Sequence, residues 1–319
     1  QLYTPSDNPI EWVFSSNQTS QPNFSYVVEV YVGGALSGRH QVFPEVGARA
    51  HKDISDVVKT ATPLPTVTQS AIQKDAANFI DCYIKVRERY GATPSYQADA
   101  TSSTVYAFKS SLPNEEREEW DYTDYVPTSA GKLFMTTMPN TIDVRTQDNY
   151  FLTLITNNMA DRALIIRLVD QSGSTVTTHQ ENITARRITQ FKVGPDFIVA
   201  QTPITQAQMD DAYQVDFFII ETVGDSTVSE TQSYIIDRND CGNPASFVWL
   251  NKYGGFDMFT FTHNIVYNST VKSLTFNKQF GEWQGTDHVL NANNSGELQY
   301  LKTANDRVQA VSGFIGEVM

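Results

Sequence analysis

The sequence predicts an all-β protein made of tandem β-sandwich domains of immunoglobulin or fibronectin type, followed by a third, small β-rich unit. Two observations predict this fold class. Short segments that alternate apolar and polar residues recur along the chain with turn residues between them, as in a sandwich. Only 18% of the residues are charged, and the polar remainder is rich in Ser, Thr, Asn and Gln, which suits exposed sheet faces better than helix surfaces. We place the domains at residues 1–130, 131–239 and 240–319.

The first domain contains two long predicted strands. Phe24–Val32 alternates most clearly, and we expect Gly33 and Gly34 to turn the chain back into a partner strand at Arg39–Phe43. Phe79–Tyr90 predicts a second long strand, whose inward face includes Cys82. Further elements are predicted as strands at Pro9–Phe14 and Ser103–Lys109 and as one or two helical turns at Lys52–Lys59.

The second domain has seven or eight strands in about 110 residues, as a sandwich requires. Asn114–Tyr125, which is acidic and aromatic and does not alternate, is expected to be a surface segment between the two domains. Gln206–Ala212 is compatible with a short helix. The predicted strands are Lys132–Thr137, Thr141–Arg145, Tyr150–Thr156, Ala163–Asp170, Thr175–Gln180, Ile188–Val193, Tyr213–Glu221 and Thr231–Asp237.

An aromatic and glycine-rich stretch opens the third unit and is the candidate structural or assembly site. Ser246–Leu250 and Met258–Phe261 predict the two strands of a hairpin, and Asn251–Asp257 predicts its turn. Its two glycines supply positions where φ can be positive at no steric cost. The candidate residues are Trp249, Asn251, Gly254, Gly255, Phe256 and Asp257. Further strands are predicted at Val271–Phe276, Leu298–Lys302 and Val308–Phe314, in a unit that we expect to be exposed or stabilised by a partner.

Charge and composition exclude several classes of function. The formal net charge is −13, so we expect no direct binding to nucleic acid through its phosphates. The chain has no apolar run of about 18 residues, and we expect no membrane span. Nothing at its start predicts a signal peptide. Cys82 and Cys241 do not have metal-ligand spacing; two free thiols are favoured, and a single bridge between them stays open.

No pattern predicts an active site. The five histidines are scattered and none has a partner at metal-ligand spacing. The sequence has neither a nucleophile elbow nor a phosphate-binding loop. We therefore expect a non-enzymatic protein with no catalytic residues, no cofactor and no metal.

Four stretches together resemble structural proteins of tailed bacteriophages and prophages of Bacteroidetes, including crAss-like phages. The stretches are Asn8–Phe14, Gln21–Val32, the junction from Asp121–Tyr125 to Lys132–Thr136, and Trp249–Asp257. The resemblance implies a virion protein of β-sandwich modules, assembled in the host cytoplasm. It also implies a homo-oligomer, as a closed ring in the tail, neck or baseplate, that contacts other virion proteins.

Two other functions are compatible with the same features. One is a capsid or capsid-decorating protein, which differs in forming shells rather than closed rings. The other is an extracellular carbohydrate-binding or adhesive module, in which exposed tryptophans stack on sugars. The tryptophans that prompt this alternative are Trp12, Trp120 and Trp283.

Overall fold

The computed structural model describes residues 2–75, 79–184, 186–238, 244–261, 263–277, 282–284, 286–289 and 297–311. The described residues lie mostly in strands, which confirms the all-β fold class. The chain divides into two compact units. Unit 1 comprises Gln1–Asn239 and Val248–Met258, and unit 2 comprises Asp240–Phe247 and Phe259–Met319. The three-domain division stays a prediction.

The first sandwich of unit 1 has a large sheet and a small one. Up to residue 108 the elements are, in chain order, β1 (Tyr3–Pro5), β2 (Glu11–Ser15), β3 (Ser25–Val32), β4 (Ala35–Val42), β5 (Arg49–Asp53), α1 (Ser55–Ala61), β6 (Gln73–Asp75), β7 (Phe79–Tyr90), β8 (Ser95–Thr101) and β9 (Val105–Phe108). The large sheet has six strands in the order β1-β9-β7-β3-β4, with β8 also pairing with β7, whereas the small sheet is β2–β5 alone.

Alternation along β3 and β7 builds the core of this sandwich. Val28 and Val30 on β3 and Ile84 on β7 are buried together, and Trp12 and Phe14 of β2 pack against them from the small sheet. The two strongest strand predictions are thus confirmed. Gly33 and Gly34 have φ of +59° and +74°, as a two-residue hairpin turn requires. Because this turn is tight, β4 begins at residue 35, earlier than predicted.

The second sandwich has sheets of five and three strands, ordered β10-β16-β15-β12-β13 and β11-β14-β6. The third strand of the smaller sheet is β6. It lies within residues 1–130, which the sequence analysis assigned to the first domain. The elements are α2 (Asn114–Arg117), a 3-10 turn (Tyr122–Tyr125), β10 (Thr141–Arg145), β11 (Tyr150–Ile155), β12 (Arg162–Val169), β13 (Thr175–Asn182), β14 (Ile188–Val193), α3 (Pro195–Gln201), α4 (Gln206–Asp211), β15 (Gln214–Glu221) and β16 (Gln232–Asp237).

The two sandwiches repeat one strand order. In the first, β1 lies parallel to the last strand, β9, and in the second β10 lies parallel to the last strand, β16. All other strand pairs in these two sandwiches are antiparallel among the described residues. In this order β11 of the second sandwich corresponds to β2 of the first. Each is the second strand of its sandwich and lies in the smaller sheet, where β11 pairs with β14 and β2 pairs with β5.

The strand predicted at Lys132–Thr137 is wrong. This segment is irregular although Phe134 and Met135 are buried. Its backbone groups bond to scattered partners instead of one strand. The Phe134 amide donates to Glu230 Oε1 at 2.9 Å, and the Met135 amide donates to the Thr153 carbonyl at 2.7 Å. The apolar run therefore marks burial rather than strand structure.

The helix predicted at Gln206–Ala212 is confirmed as α4, which begins with a capping box at Thr205.

The C-terminal region consists of two-stranded sheets in the described residues. They are formed by β17 (Ala245–Leu250) with β18 (Phe256–Phe261), by β19 (His263–Asn277) with β22 (Glu297–Val311), and by β20 (Glu282–Gln284) with β21 (Asp287–Val289). The hairpin predicted around Asn251–Asp257 is confirmed. The strand predicted at Val308–Phe314 extends beyond the described residues. No helix in the described part of the chain is both long and apolar enough to cross a membrane.

Candidate functional site: the turn between β17 and β18

Asn251 folds the turn between β17 and β18. Its amide donates to the Gly255 carbonyl at 2.9 Å, and the Gly254 amide donates to the Asn251 carbonyl at 3.1 Å. Its side-chain oxygen accepts from the amides of Tyr253 at 2.9 Å and Gly255 at 3.2 Å. A short Asx side chain that captures amides of the following residues is a common way to fix a turn. Asn251 itself is buried.

The two glycines of the turn are required for different reasons. Gly254 has φ of +87°, as predicted. Gly255 does not adopt positive φ, so only Gly254 uses the conformational freedom of glycine. A Cβ on Gly255 would lie 2.0 Å from the Met135 carbonyl oxygen, and one on Gly254 would lie 2.8 Å from the ring of Phe108. At Gly255, therefore, close approach of two backbones excludes a side chain.

Asp257 joins the hairpin to the irregular segment before β10. Its carboxylate accepts from Asn251 Nδ2 at 2.9 Å, from Thr136 Oγ1 at 2.6 Å, and from the amide and hydroxyl of Thr137 at 3.0 and 2.5 Å. Asn251 Nδ2 also donates to the Met135 carbonyl at 3.0 Å. Asp257 is 2% exposed. A buried carboxylate with this many donors holds its neighbours in one arrangement.

The opposite side of the turn contacts the end of the first sandwich. Ser110 Oγ donates to the Lys252 carbonyl. Lys252 Nζ lies 2.6 Å from the Glu116 carboxylate, which raises the pKa of Lys252. The ring centroids of Tyr253 and Tyr125 are 5.4 Å apart. Together with the contact of Gly254 on β9, these interactions place the turn at the junction between the two sandwiches.

The structure brings together five of the six predicted site residues. Phe256 packs on the second sandwich, with its ring centroid 5.9 Å from that of Phe151 on β11. Trp249 is different, because it is 41% exposed beside the exposed Val248. Sequence reasoning did not find the partners, Thr136 and Thr137 above all. No local signal links them to the turn, since they precede Asp257 by 121 and 120 positions.

The acidic segment between the sandwiches has partners within the protein. Asp121 Oδ1 accepts from the Thr123 amide at 2.9 Å, and hydrogen bonds from Thr123 lower the pKa of Asp121. Asp124 lies 3.2 Å from Lys132 Nζ. Within the described ranges, no group of three or more His, Cys, Asp or Glu side chains is arranged to hold a metal ion.

Of the two cysteines, Cys82 lies in the described part of the structure. Cys82 is a free thiol with no exposure. Burial raises the pKa of Cys82 to about 12, so the thiol is inert at neutral pH. Because Cys82 is unpaired, the bridge from Cys82 to Cys241 that the sequence left open is not formed. Cys241 itself lies outside the described residues.

The ribbon of β19 and β22, here called the arm, presents a second candidate surface. Alternate residues from 266 to 274 face the same side as their partners from 309 to 301, and all ten are exposed. This arm face includes Val266 (48% exposed), Leu274 (51%) and Leu301 (51%). Its charged residues are Lys272 and Arg307, with no acidic residue. The arm face comprises Val266, Asn268, Thr270, Lys272, Leu274, Leu301, Thr303, Asn305, Arg307 and Gln309.

Comparison with known proteins identifies no family. No protein-family model matches the sequence, and no curated protein matches it. A glycosyl hydrolase family 2 member from Bacteroides cellulosilyticus DSM 14838 is 13% identical, with 78% of this chain and 30% of that chain covered and a TM-score of 0.18. An FMN-binding β-glucuronidase from Faecalibacterium prausnitzii L2-6 is 15% identical, with 78% and 34% covered and a TM-score of 0.17. This chain thus spans about a third of each enzyme, and at these TM-scores neither carries an argument about activity.

Proposed function

We propose that this chain is a non-enzymatic virion structural protein of a tailed bacteriophage, which assembles into a closed ring in the tail, neck or baseplate. The observation that supports assembly best is the arm. Isolated two-stranded ribbons are marginally stable in water, yet this one pairs along 15-residue strands and exposes Leu274 and Leu301 on one face. Such a face gains stability when a partner covers it. The resemblance to phage structural proteins supports the virion setting.

The length of the arm also supports a role between subunits. A strand of 15 residues is about 50 Å long at about 3.3 Å per residue. A compact body the size of unit 1, about 250 residues, has a radius of gyration of about 18 Å. The arm is therefore comparable in length with the diameter of such a body and can reach well into a neighbouring subunit.

The turn between β17 and β18 supports a rigid building block. It bonds to Ser110 and Glu116 on one side and to Thr136 and Thr137 on the other. The buried carboxylate of Asp257 fixes this junction. A ring needs subunits whose interfaces keep a constant angle, because closure depends on one repeated rotation.

The glycan-binding alternative gains no such support from Trp12 and Trp120. Trp12 packs against the core of the first sandwich. Trp120 lies with its ring centroid 6.2 Å from Tyr125, in a stacked arrangement, and 6.0 Å from Phe108. These rings therefore serve packing. The side chain of Trp283 lies outside the described part of the structure.

The oligomeric state of the purified full chain tests the assembly. We expect closed rings by native mass spectrometry and negative-stain microscopy. The double variant Leu274→Ser/Leu301→Ser should weaken them, whereas Leu64→Ser, at a leucine that is 71% exposed in unit 1, should not. A full chain that stays monomeric at every concentration, or one that assembles equally well with the arm variant, contradicts assembly through the arm.

Immunogold labelling of the particles made by the host strain tests the virion setting. We expect an antiserum against the purified chain to label the tail, neck or baseplate. Labelling across the head shell supports the capsid alternative, and particles without label contradict the proposal.

We also hypothesise that the net charge of −13 keeps the protein from adhering to DNA in a channel. Tight retention of DNA by the pure protein at low salt would refute this hypothesis.

A further inference from the structure

The second layer of the first sandwich has a free strand edge. Backbone bonds join Ile10 to Ile54 and Ser16 to Ala48 at the two ends of the β2–β5 pair. Because hydrogen-bonded pairs alternate along an antiparallel ladder, the even-numbered residues of β2 bond to β5. The odd-numbered residues, including Val13, direct their amides and carbonyls to the other side. No strand pairs with that side of β2 among the described residues.

A groove of about 260 Å³ follows this free edge. It is lined on one side by β2, from Trp12 to Ser15, and on the other by β8, where Ala98 and Ala100 leave space. Ile84 and Val86 of β7 form an apolar floor. Glu88 is the one charged residue among the described lining residues, and no ion pair to it is seen in the described part of the chain.

The corresponding flank of the second sandwich is covered. There the edge of β11 receives the Met135 amide on the Thr153 carbonyl, at 2.7 Å. Gly255 packs beside the Thr153 side chain, and Phe256 packs on Phe151. The shared strand order thus leaves one edge of the second strand open in both sandwiches, and the described residues of the chain cover that edge in the second sandwich but not in the first.

We infer that the groove beside β2 accepts the arm of a second copy of this chain, which adds to the free edge of β2. This inference rests on the proposed self-assembly and specifies its interface. Addition of a strand to an exposed edge is a common recognition mode, with main-chain bonds along the edge and alternate side chains in pockets. The result is a four-stranded second layer, β5-β2 followed by the two strands of the arm.

Charge and polarity favour the arm as the occupant. The arm face places Leu274 and Leu301 at one end and Val266 at the other, and these side chains match an apolar floor. Lys272 and Arg307 are its charged residues, whereas the groove carries a carboxylate. Opposite charges on two faces steer them together and fix their register.

A proline at Val13 tests the free edge directly. Val13 is 66% exposed and its amide points away from β5, so proline removes a donor only from the free edge. Val13→Ala is the matched control, since it keeps the amide. We expect the full-length control to assemble like the wild type and Val13→Pro to raise the dissociation constant at least about tenfold. Equal assembly of the two variants overturns the inference.

Where Val13→Pro does not fold, a second pair of variants tests whether the groove is needed for assembly. Ala100→Trp fills the groove from an exposed position on β8, and Asp99→Trp, on the opposite face of that strand, is its control. We expect loss of assembly with Ala100→Trp alone. If the wild type assembles and both groove variants do too, only this inference fails. If the wild type never assembles, the proposed function fails as well.

Cross-linking between labelled copies identifies the occupant. A photoreactive amino acid at position 13 of ¹⁵N-labelled chain is activated after mixing with unlabelled chain carrying no photoreactive group. We expect cross-links from labelled position 13 to unlabelled peptides of 263–277 or 297–311. Cross-links confined to one copy, or to other surfaces, exclude the arm of a second copy.

Discussion

Replacing Gly255 with alanine should destabilise unit 1 by steric conflict alone. The new Cβ would lie 2.0 Å from the Met135 carbonyl oxygen, whereas 3.4 Å is ordinary contact. One of the two backbones must therefore retreat by more than an ångström. Retreat stretches the hydrogen bonds that Asn251 and Asp257 make to the same segment. We expect a loss of about 3 kcal/mol in the free energy of unfolding, at the upper end of the usual cost of overpacking.

The control separates this conflict from the general cost of removing a glycine. Gly131 has φ of +81°, and a Cβ added there would have nothing within 4 Å, so Gly131→Ala should cost only about 1 kcal/mol of backbone strain. Urea unfolding followed by tryptophan fluorescence measures both. In thermal melts we expect shifts of about 6–12 °C for Gly255→Ala and about 2–4 °C for the control. A smaller loss for Gly255→Ala than for Gly131→Ala would refute the close approach of the two backbones.

Three further predictions concern buried groups of unit 1. Asp257→Ala leaves the donors of Thr136, Thr137 and Asn251 without their acceptor and should cost about 2–4 kcal/mol in urea unfolding, whereas Asp257→Asn, which keeps one acceptor oxygen, should cost less. Burial would raise the pKa of Asp216, but hydrogen bonds from Arg167, Gln214 and Ser233 outweigh it and lower that pKa. The resulting stabilisation is present above the unfolded value of about 4 and is lost as the pH falls through the folded value, so Asp216→Asn should flatten the loss of stability in acid. In a Cys241→Ser variant, Cys82 should resist a thiol reagent at pH 8 until the protein is unfolded; rapid reaction of the native protein would contradict its burial.

Strands whose residues alternate strongly were predictable from the sequence. Ser25–Val32 and Phe79–Tyr90 were found within one residue of their bounds. In both strands the apolar residues of the core recur at every second position, as with Val28 and Val30 or Cys82 and Ile84, and this burial fixes the period of two. β6 was not found, because its three residues have no alternation to detect. Pairing with β14 of the other sandwich creates this strand.

The candidate site was predictable only in its local half. The sequence Asn251 to Asp257 shows a turn, because glycine and asparagine carry their conformational preferences with them. It does not show which backbone approaches Gly255 or which donors surround Asp257. Those partners, Met135 to Thr137, lie in a segment whose apolar residues predicted a strand. Contacts between distant segments depend on the assembled fold, and one sequence contains no direct record of them.

The turn between β17 and β18 and, in our proposal, the arm of a second copy both cover the open edge of a second strand. A sandwich with a small second layer leaves the edge of its second strand open, and an open edge attracts other chains. In the second sandwich, the segment from Phe134 and the hairpin turn cover the flank of β11 from within the chain, with Asp257 as the fixed point. In the first sandwich, β2 has a groove with an apolar floor and one carboxylate. The same chain carries the arm, which has exposed leucines and two basic residues on one face. The arm face therefore complements the groove in both apolar surface and charge. An assembly that joins them between copies would cover both surfaces at once and repeat the same contact from subunit to subunit, as a closed ring requires.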